Sequence, residues 1–170
     1  MSSSGIGRIF LFILLVFLQV WLFDKIHLFG YVTPLLYIYF IIKLPGGMNQ
    51  NVVLLLSALI GLSVDLFEYT LGLNMLACVI TGFMRCYLLN LYAPRDIFES
   101  YAPSFGSFGA AVFLRYAFLM TLIHHLVLFM TESLTLFDPV SLIFRILGSV
   151  ILTMFLIFAL ESINFGVSKK

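Results

Sequence analysis

Apolar residues gather into six runs, at positions 9–23, 31–44, 51–67, 71–91, 105–130 and 139–163, each bounded by polar residues, proline or glycine. A helix rises about 1.5 Å per residue and the hydrocarbon core is about 30 Å thick, so most of these runs are long enough to cross a bilayer. The second run is short for a span and carries Pro34 near its start. Proline removes a backbone donor and kinks or breaks a helix. Six transmembrane helices are therefore expected, with five helices and one re-entrant segment as the alternative. The breaks have mechanisms of their own. Pro45, Gly46 and Gly47 stop the second run, Asn49 or Asn51 can cap the third, and Ser104 can cap the fifth. Asp138 followed by Pro139 is a cap residue and then proline at the first helical position. Pro94 and Pro103 bracket the one long polar stretch, 92–104.

Composition turns apolar runs into a membrane protein. Of 170 residues, 62% are hydrophobic and only 10% charged. A soluble domain is nearer a quarter charged, because its surface faces water. The chain reads as a single all-α integral membrane domain over 1–170. Arg8 and the apolar run after it have the outline of a signal peptide. No small-x-small cleavage pattern follows, since Asp24, Lys25 and Ile26 come next, so a retained first helix is expected. Cys78 and Cys86 are eight residues apart on one helix, roughly 12 Å, too far to bridge, and read as small apolar fillers. No basic cluster suits nucleic acid, and Lys169 with Lys170 is too little for a polybasic lipid switch.

Lys and Arg set the orientation. With the N-terminus in the cytoplasm, the inner flanks hold Arg8, Lys43, Arg95, Lys169 and Lys170. The outer flanks hold Lys25 with Asp24, Glu68, Glu132 and Asp138. Both termini inside is the expectation.

Polar groups inside apolar helices are costly, so each needs a partner or a route to the interface. Ser57, Gly61 and Asp65 share one face of the third helix by their four-residue spacing. Asn74, Cys78, Gly82 and Arg85 or Cys86 form a similar stripe on the fourth. Ser141, Arg145, Gly148 or Ser149, and Thr153 do so on the sixth. Small residues let membrane helices approach closely, so the third, fourth and sixth runs are expected at the centre. Charges fall into two layers by depth: Asp65, Glu68 and Arg145 on the outer side, Arg85, Arg115 and Glu161 on the inner. Matching depth predicts an Asp65–Arg145 pair. Arg115 and Glu161 are read as snorkelling to the headgroups, with Glu161 pairing to Arg85 or Arg115 as the alternative.

Candidate chemistry is sparse. His124 and His125 are adjacent and point about 100° apart on a helix, which is poor geometry for one metal ion. His27 is expected to be solvated. No G-x-S-x-G, H-E-x-x-H, P-loop or dinucleotide-binding glycine pattern occurs. Ser63 and Asp65 lie close in sequence, but no histidine at matching depth serves as base. No catalytic, cofactor or metal site is assigned.

Gly61-Leu62-Ser63-Val64-Asp65, followed by Thr70, Gly72 and Asn74, resembles the G-x-x-x-D…G-x-[NH] signature of the bacterial rod shape-determining MreD family. Gly30-Tyr31, Pro34 to Tyr37, Leu44-Pro45, Arg85 and Pro94-Arg95-Asp96 are similar in order and spacing. Cys86 is a departure, since family members carry proline after the arginine. The resemblance implies a non-enzymatic scaffold of the inner (cytoplasmic) membrane that maintains cell shape. It also implies an MreC-like bitopic partner, and coupling of MreB-like filaments to the synthases of peptidoglycan elongation. Structural or partner-binding roles then fall to Gly61, Asp65, Gly72, Asn74, Arg85 and Arg145. The family's fold is similar to the substrate-binding subunits of energy-coupling-factor vitamin transporters. A small-molecule binding subunit of a transporter is therefore the alternative.

Overall fold

An apolar segment can hide its backbone polar groups in lipid only by bonding them internally, which is why the apolar runs become helices. The computed structural model describes residues 5–23, 32–70, 72–92, 102–133 and 138–168. Helix α1 (Gly5–Leu18) ends in one π-helical turn (Gln19–Phe23), followed by α2 (Ile38–Ile42), α3 (Gln50–Glu68) and α4 (Leu73–Tyr92). Then come α5 (Phe105–Phe108), α6 (Ala110–Glu132) and α7 (Pro139–Ser168). Among the described residues, α1 with its π turn, α3, α4, α6 and α7 are long and apolar enough to cross a membrane, five in all. Large apolar side chains such as Phe10, Leu66, Phe144 and Phe155 face outward. Such a surface suits lipid and would be anomalous in water. Asp24, Lys25, His27, Gly30, Tyr31, Pro94, Arg95, Asp96, Lys169 and Lys170 lie outside the described residues.

The second apolar run corrects the count of six. It is non-helical at 33–35, turns at 36–37 and is helical only over the five residues of α2. Pro34 accounts for the break, since proline cannot donate and pushes the residue before it out of helical conformation. Residues 35–42 are nonetheless buried throughout, and Tyr37, Ile38, Ile41 and Ile42 are fully so. A short, broken segment stands in the middle of the bundle. The fifth run is also divided, because Gly109 adopts φ +76° between α5 and α6.

Helix starts follow their side chains. Asn49 caps α3 by accepting from the Asn51 N–H at 2.9 Å. Ser104 caps α5 by accepting from the Ser107 N–H at 3.1 Å. Asp138 accepts from the Val140 N–H at 3.2 Å, with Pro139 opening α7. Helix α4 runs unbroken through Cys86, and both cysteines are free thiols.

The most extensive packing joins α3 to α4 and α4 to α6, with α7 lying on α6 and α1 on α3. Hence α6, from the fifth run, takes the central place expected of the sixth. The small residues of α7 have a different task, set by the broken segment.

Candidate functional site

The broken segment must satisfy its backbone groups away from water, where each unpaired one costs several kcal/mol. Three buried side chains do this at its first half. Gln19 donates from Nε2 to the Pro34 carbonyl at 3.2 Å and accepts the Leu36 N–H at Oε1, 2.9 Å. On α7, Ser149 Oγ accepts the Thr33 N–H and Thr153 Oγ1 the Leu35 N–H, both at 3.1 Å. At the far end Arg85, 2% exposed, donates from Nε to the Ile41 carbonyl at 3.1 Å. Its Nη2 donates to the Leu44 and Pro45 carbonyls. A guanidinium suits carbonyls that a helix end leaves unpaired. Arg85 is thus a cap for a neighbouring element and not a carboxylate's partner. The role of Gln19 is not legible in the sequence, because one amide in an apolar run carries no signal of which backbone it serves.

Asp65, Asn74, Gly61 and Gly72 come together where α3 meets α4. Gly72, with φ +82°, precedes the first turn of α4 and has no side chain to cap it. Asp65 reaches across as the cap: Oδ1 accepts the Asn74 N–H at 3.1 Å and Oδ2 the Met75 N–H at 2.9 Å. Its Oδ1 also accepts the Thr70 hydroxyl and the Asn74 amide. A carboxylate at a helix N-terminus meets both unpaired donors and the positive end of the dipole. Gly61, one turn earlier on the same face, explains the close approach. A Cβ there would stand 2.5 Å from the Met75 Cα and 2.7 Å from the Asn74 carbonyl oxygen.

From this junction a hydrogen-bond chain runs into the core. The Asn74 amide group faces Asp65 and Glu68, so its Oδ1 faces Tyr37, whose hydroxyl donates to it at 2.7 Å. The Tyr37 proton is then committed. His124 Nε2 lies 2.8 Å from the same hydroxyl, and its Nδ1 faces Thr81 Oγ1 at 3.5 Å. His125 Nδ1 lies 2.8 Å from the Thr121 carbonyl, which only accepts, so this nitrogen carries the proton. Its Nε2 is left to accept from Thr153 at 3.3 Å. The adjacent histidines are therefore buried links on different branches, one to α4 and one to α7. Among the described residues no three metal-ligating side chains converge.

The two charge layers are present, with different partners inside each. Arg145 pairs with Glu132 at 2.9 Å and lies 4.4 Å over the Phe129 ring. Because Asp65 is consumed by the α4 cap, the expected Asp65–Arg145 pair does not form. In the other layer Glu161, 2% exposed, pairs with Lys43 at 3.2 Å. It also accepts the Tyr39 hydroxyl at 2.6 Å and the Phe105 N–H at 3.1 Å. Glu161 therefore neither snorkels nor pairs with Arg85 or Arg115, because Lys43 closes the broken segment beside it. Arg115 is exposed, as snorkelling requires. Beyond the spans, Asp138 accepts the Ser141 hydroxyl at 2.5 Å, which with the Val140 N–H holds its carboxyl below the usual value.

At the Glu68 end the bundle opens into a cavity of about 310 Å³. Glu68, Glu132, Arg145, Asn74 and Thr70 line it together with Thr33 and Leu35 of the broken segment. Leu73, Leu128 and Phe129 complete its wall. Comparison with family models, with curated proteins and with solved structures finds no match for this chain.

Proposed function

We propose that this protein is a multi-pass scaffold of the bacterial cell-wall elongation machinery, seated in the inner membrane with both termini cytoplasmic. In this reading it binds an MreC-like bitopic protein and so helps couple MreB-like filaments to peptidoglycan synthases, with no reaction of its own. The observation that carries the reading is the α3–α4 junction. The residues of the MreD-like signature, Gly61, Asp65, Gly72 and Asn74, are those that join the two helices through the Asp65 cap. A signature whose polar groups are consumed in holding helices together suits a protein that presents a rigid surface. Lipid-facing helix flanks and short loops offer that surface to a partner's transmembrane helix.

Affinity capture of the solubilised protein from its native membrane is expected to recover an MreC-like partner in near-stoichiometric amount. Depletion is expected to give rounded or swollen cells. Capture of an ATPase module instead, with normal cell shape and a vitamin requirement on depletion, would replace this reading with the second one. That second reading is a small-molecule binding subunit of a transporter. It draws on the cavity at the Glu68 end, where a broken helix borders a polar pocket as in many transport sites.

A further inference from the structure

We propose that the groove between α1 and α3 holds one acyl chain of an anionic phospholipid, with the lipid phosphate on Arg8. The inference goes beyond both readings of the cellular role and depends on neither.

Helix α1 packs on α3 much less closely than α4 does. Two cavities, of about 330 and 260 Å³, follow one another along the gap and share Phe12. The first runs from Gly5 and Arg8 past Leu56 and Leu59, and the second continues past Ile13 and Phe17 to Phe67. Its one hydroxyl, Ser63, donates to the Leu59 carbonyl at 2.8 Å and is not offered to the groove. Width decides what fits. Over the ~10 Å of α1 from Gly5 to Phe12 the first cavity leaves a cross-section of ~30 Å², and from Phe12 to Trp21 the second leaves ~20 Å². A helix with its side chains is about 10–12 Å across, or ~80–110 Å². A hydrocarbon chain, about 4–5 Å wide at carbon contact distances, covers ~20 Å². The groove therefore takes a single acyl chain and is too narrow for a second transmembrane helix. Charge then names the lipid. Arg8, half-buried in the first turn of α1, is the one charged side chain among the described residues that line the groove. Among the described residues no carboxylate pairs with it. In a bilayer the first turn of a spanning helix lies at the headgroups, and a guanidinium grips phosphate through two parallel N–H···O bonds. An anionic headgroup compensates that charge, whereas the choline of a zwitterionic lipid brings a second cation beside it.

The chain has a single tryptophan, so one moved indole reports on the groove alone. The full-length protein carrying Trp21→Phe and Ile13→Trp is placed in phosphatidylcholine bilayers. Phosphatidylglycerol or phosphatidylcholine brominated at mid-chain is then added at matched mole fractions, and bromine quenches indole fluorescence on contact. Ile13 is exposed on the groove wall, about 7–8 Å along the helix axis from Arg8 and so at the depth of those bromines. Brominated phosphatidylglycerol is expected to quench at about fivefold lower mole fraction than brominated phosphatidylcholine, the weight of one basic residue at an anionic headgroup. Arg8→Gln is expected to abolish that preference. Phe155→Trp in the Trp21→Phe background, exposed on α7 outside the groove, is expected to show none. Equal quenching by the two lipids, a preference that survives Arg8→Gln, the same preference in Phe155→Trp, or no quenching of Ile13→Trp by either lipid would each overturn the proposal. Arg8 and Ile13 lie on α1, outside the α3–α4 junction, so these variants retain the fold that the comparison needs.

Discussion

A methyl group at position 61 would meet the Met75 Cα at 2.5 Å, and backbone atoms cannot rotate aside. Gly61→Ala is therefore expected to cost about 3 kcal/mol, at the upper end of overpacking effects, in denaturant-induced unfolding from mixed micelles. Gly72→Ala makes no such contact and meets only the positive φ, so a cost of about 1 kcal/mol is expected in the same assay. Gly148→Ala is the internal control: its new Cβ faces the Val32 Cγ2 at 2.5 Å, and a valine side chain can turn. If Gly61→Ala proved no worse than Gly148→Ala, the tight α3–α4 junction would be wrong. Gly61 and Asp65 were legible as one face of a helix from their spacing. That the aspartate caps the next helix was not, because spacing along one helix says nothing of which N–H groups lie across from it.

At the scale of elements, the broken segment depends on side chains from α1, α4 and α7. Gln19→Leu removes both partners of the Pro34 carbonyl and the Leu36 N–H. Each group left buried and unpaired costs about 1–3 kcal/mol, so faster hydrogen exchange over residues 35–42 is expected, with α3 and α4 little changed. Uniform loss of protection across all helices would show instead that the segment has no local stability of its own. The start of α7 responds to pH in a defined direction. The Asp138 carboxyl is held below its unfolded value near 3.8. Its contribution is complete above that value and is lost as pH falls through the lower, folded one. Fraying of the first turn of α7 at low pH, absent in Asp138→Asn, is the expected observation by exchange mass spectrometry. Proline and glycine made these element ends readable, whereas the length of α2 was not, since an apolar run has the same composition whether it is helix or buried extended chain.

Across the whole molecule, the bundle is held at one end by Asp65 and at the other by Lys43–Glu161. The second pair joins the end of the broken segment to α7 and, through the Phe105 N–H, to α5. Glu161→Ala leaves Lys43 and Tyr39 without their partner, and about 3–5 kcal/mol of destabilisation is expected by the same unfolding assay. The double change Lys43→Met with Glu161→Leu is expected to recover much of that loss, because removing both charges removes the need for either. A double variant as unstable as Glu161→Ala would mean that the pair's hydrogen bonds, not its charges, hold the ends together. The two depth layers were readable from helix directions alone. Their pairings were not: depth alone matches Asp65 to Arg145 and leaves Glu161 to snorkel or, as the alternative, to meet an arginine, because depth leaves rotation about each helix axis undetermined.

By itself the sequence determined that the chain is a helical bundle built for lipid, that Asn49, Ser104 and Asp138 stand at helix starts, and that its charges lie in two layers. These follow from local composition and from the rise of a helix, and need no knowledge of neighbours. Only the tertiary structure decided that α6 and not α7 stands at the centre, and that Ser149, Thr153, Gln19 and Arg85 serve the backbone of a broken segment. It alone decided that two adjacent histidines face different neighbours, Tyr37 for one and Thr153 for the other. The physical reason is common to all of these. In lipid each buried polar group must find a specific partner, and which partner lies within 3 Å is a property of how helices turn and meet, not of the order in which they are written.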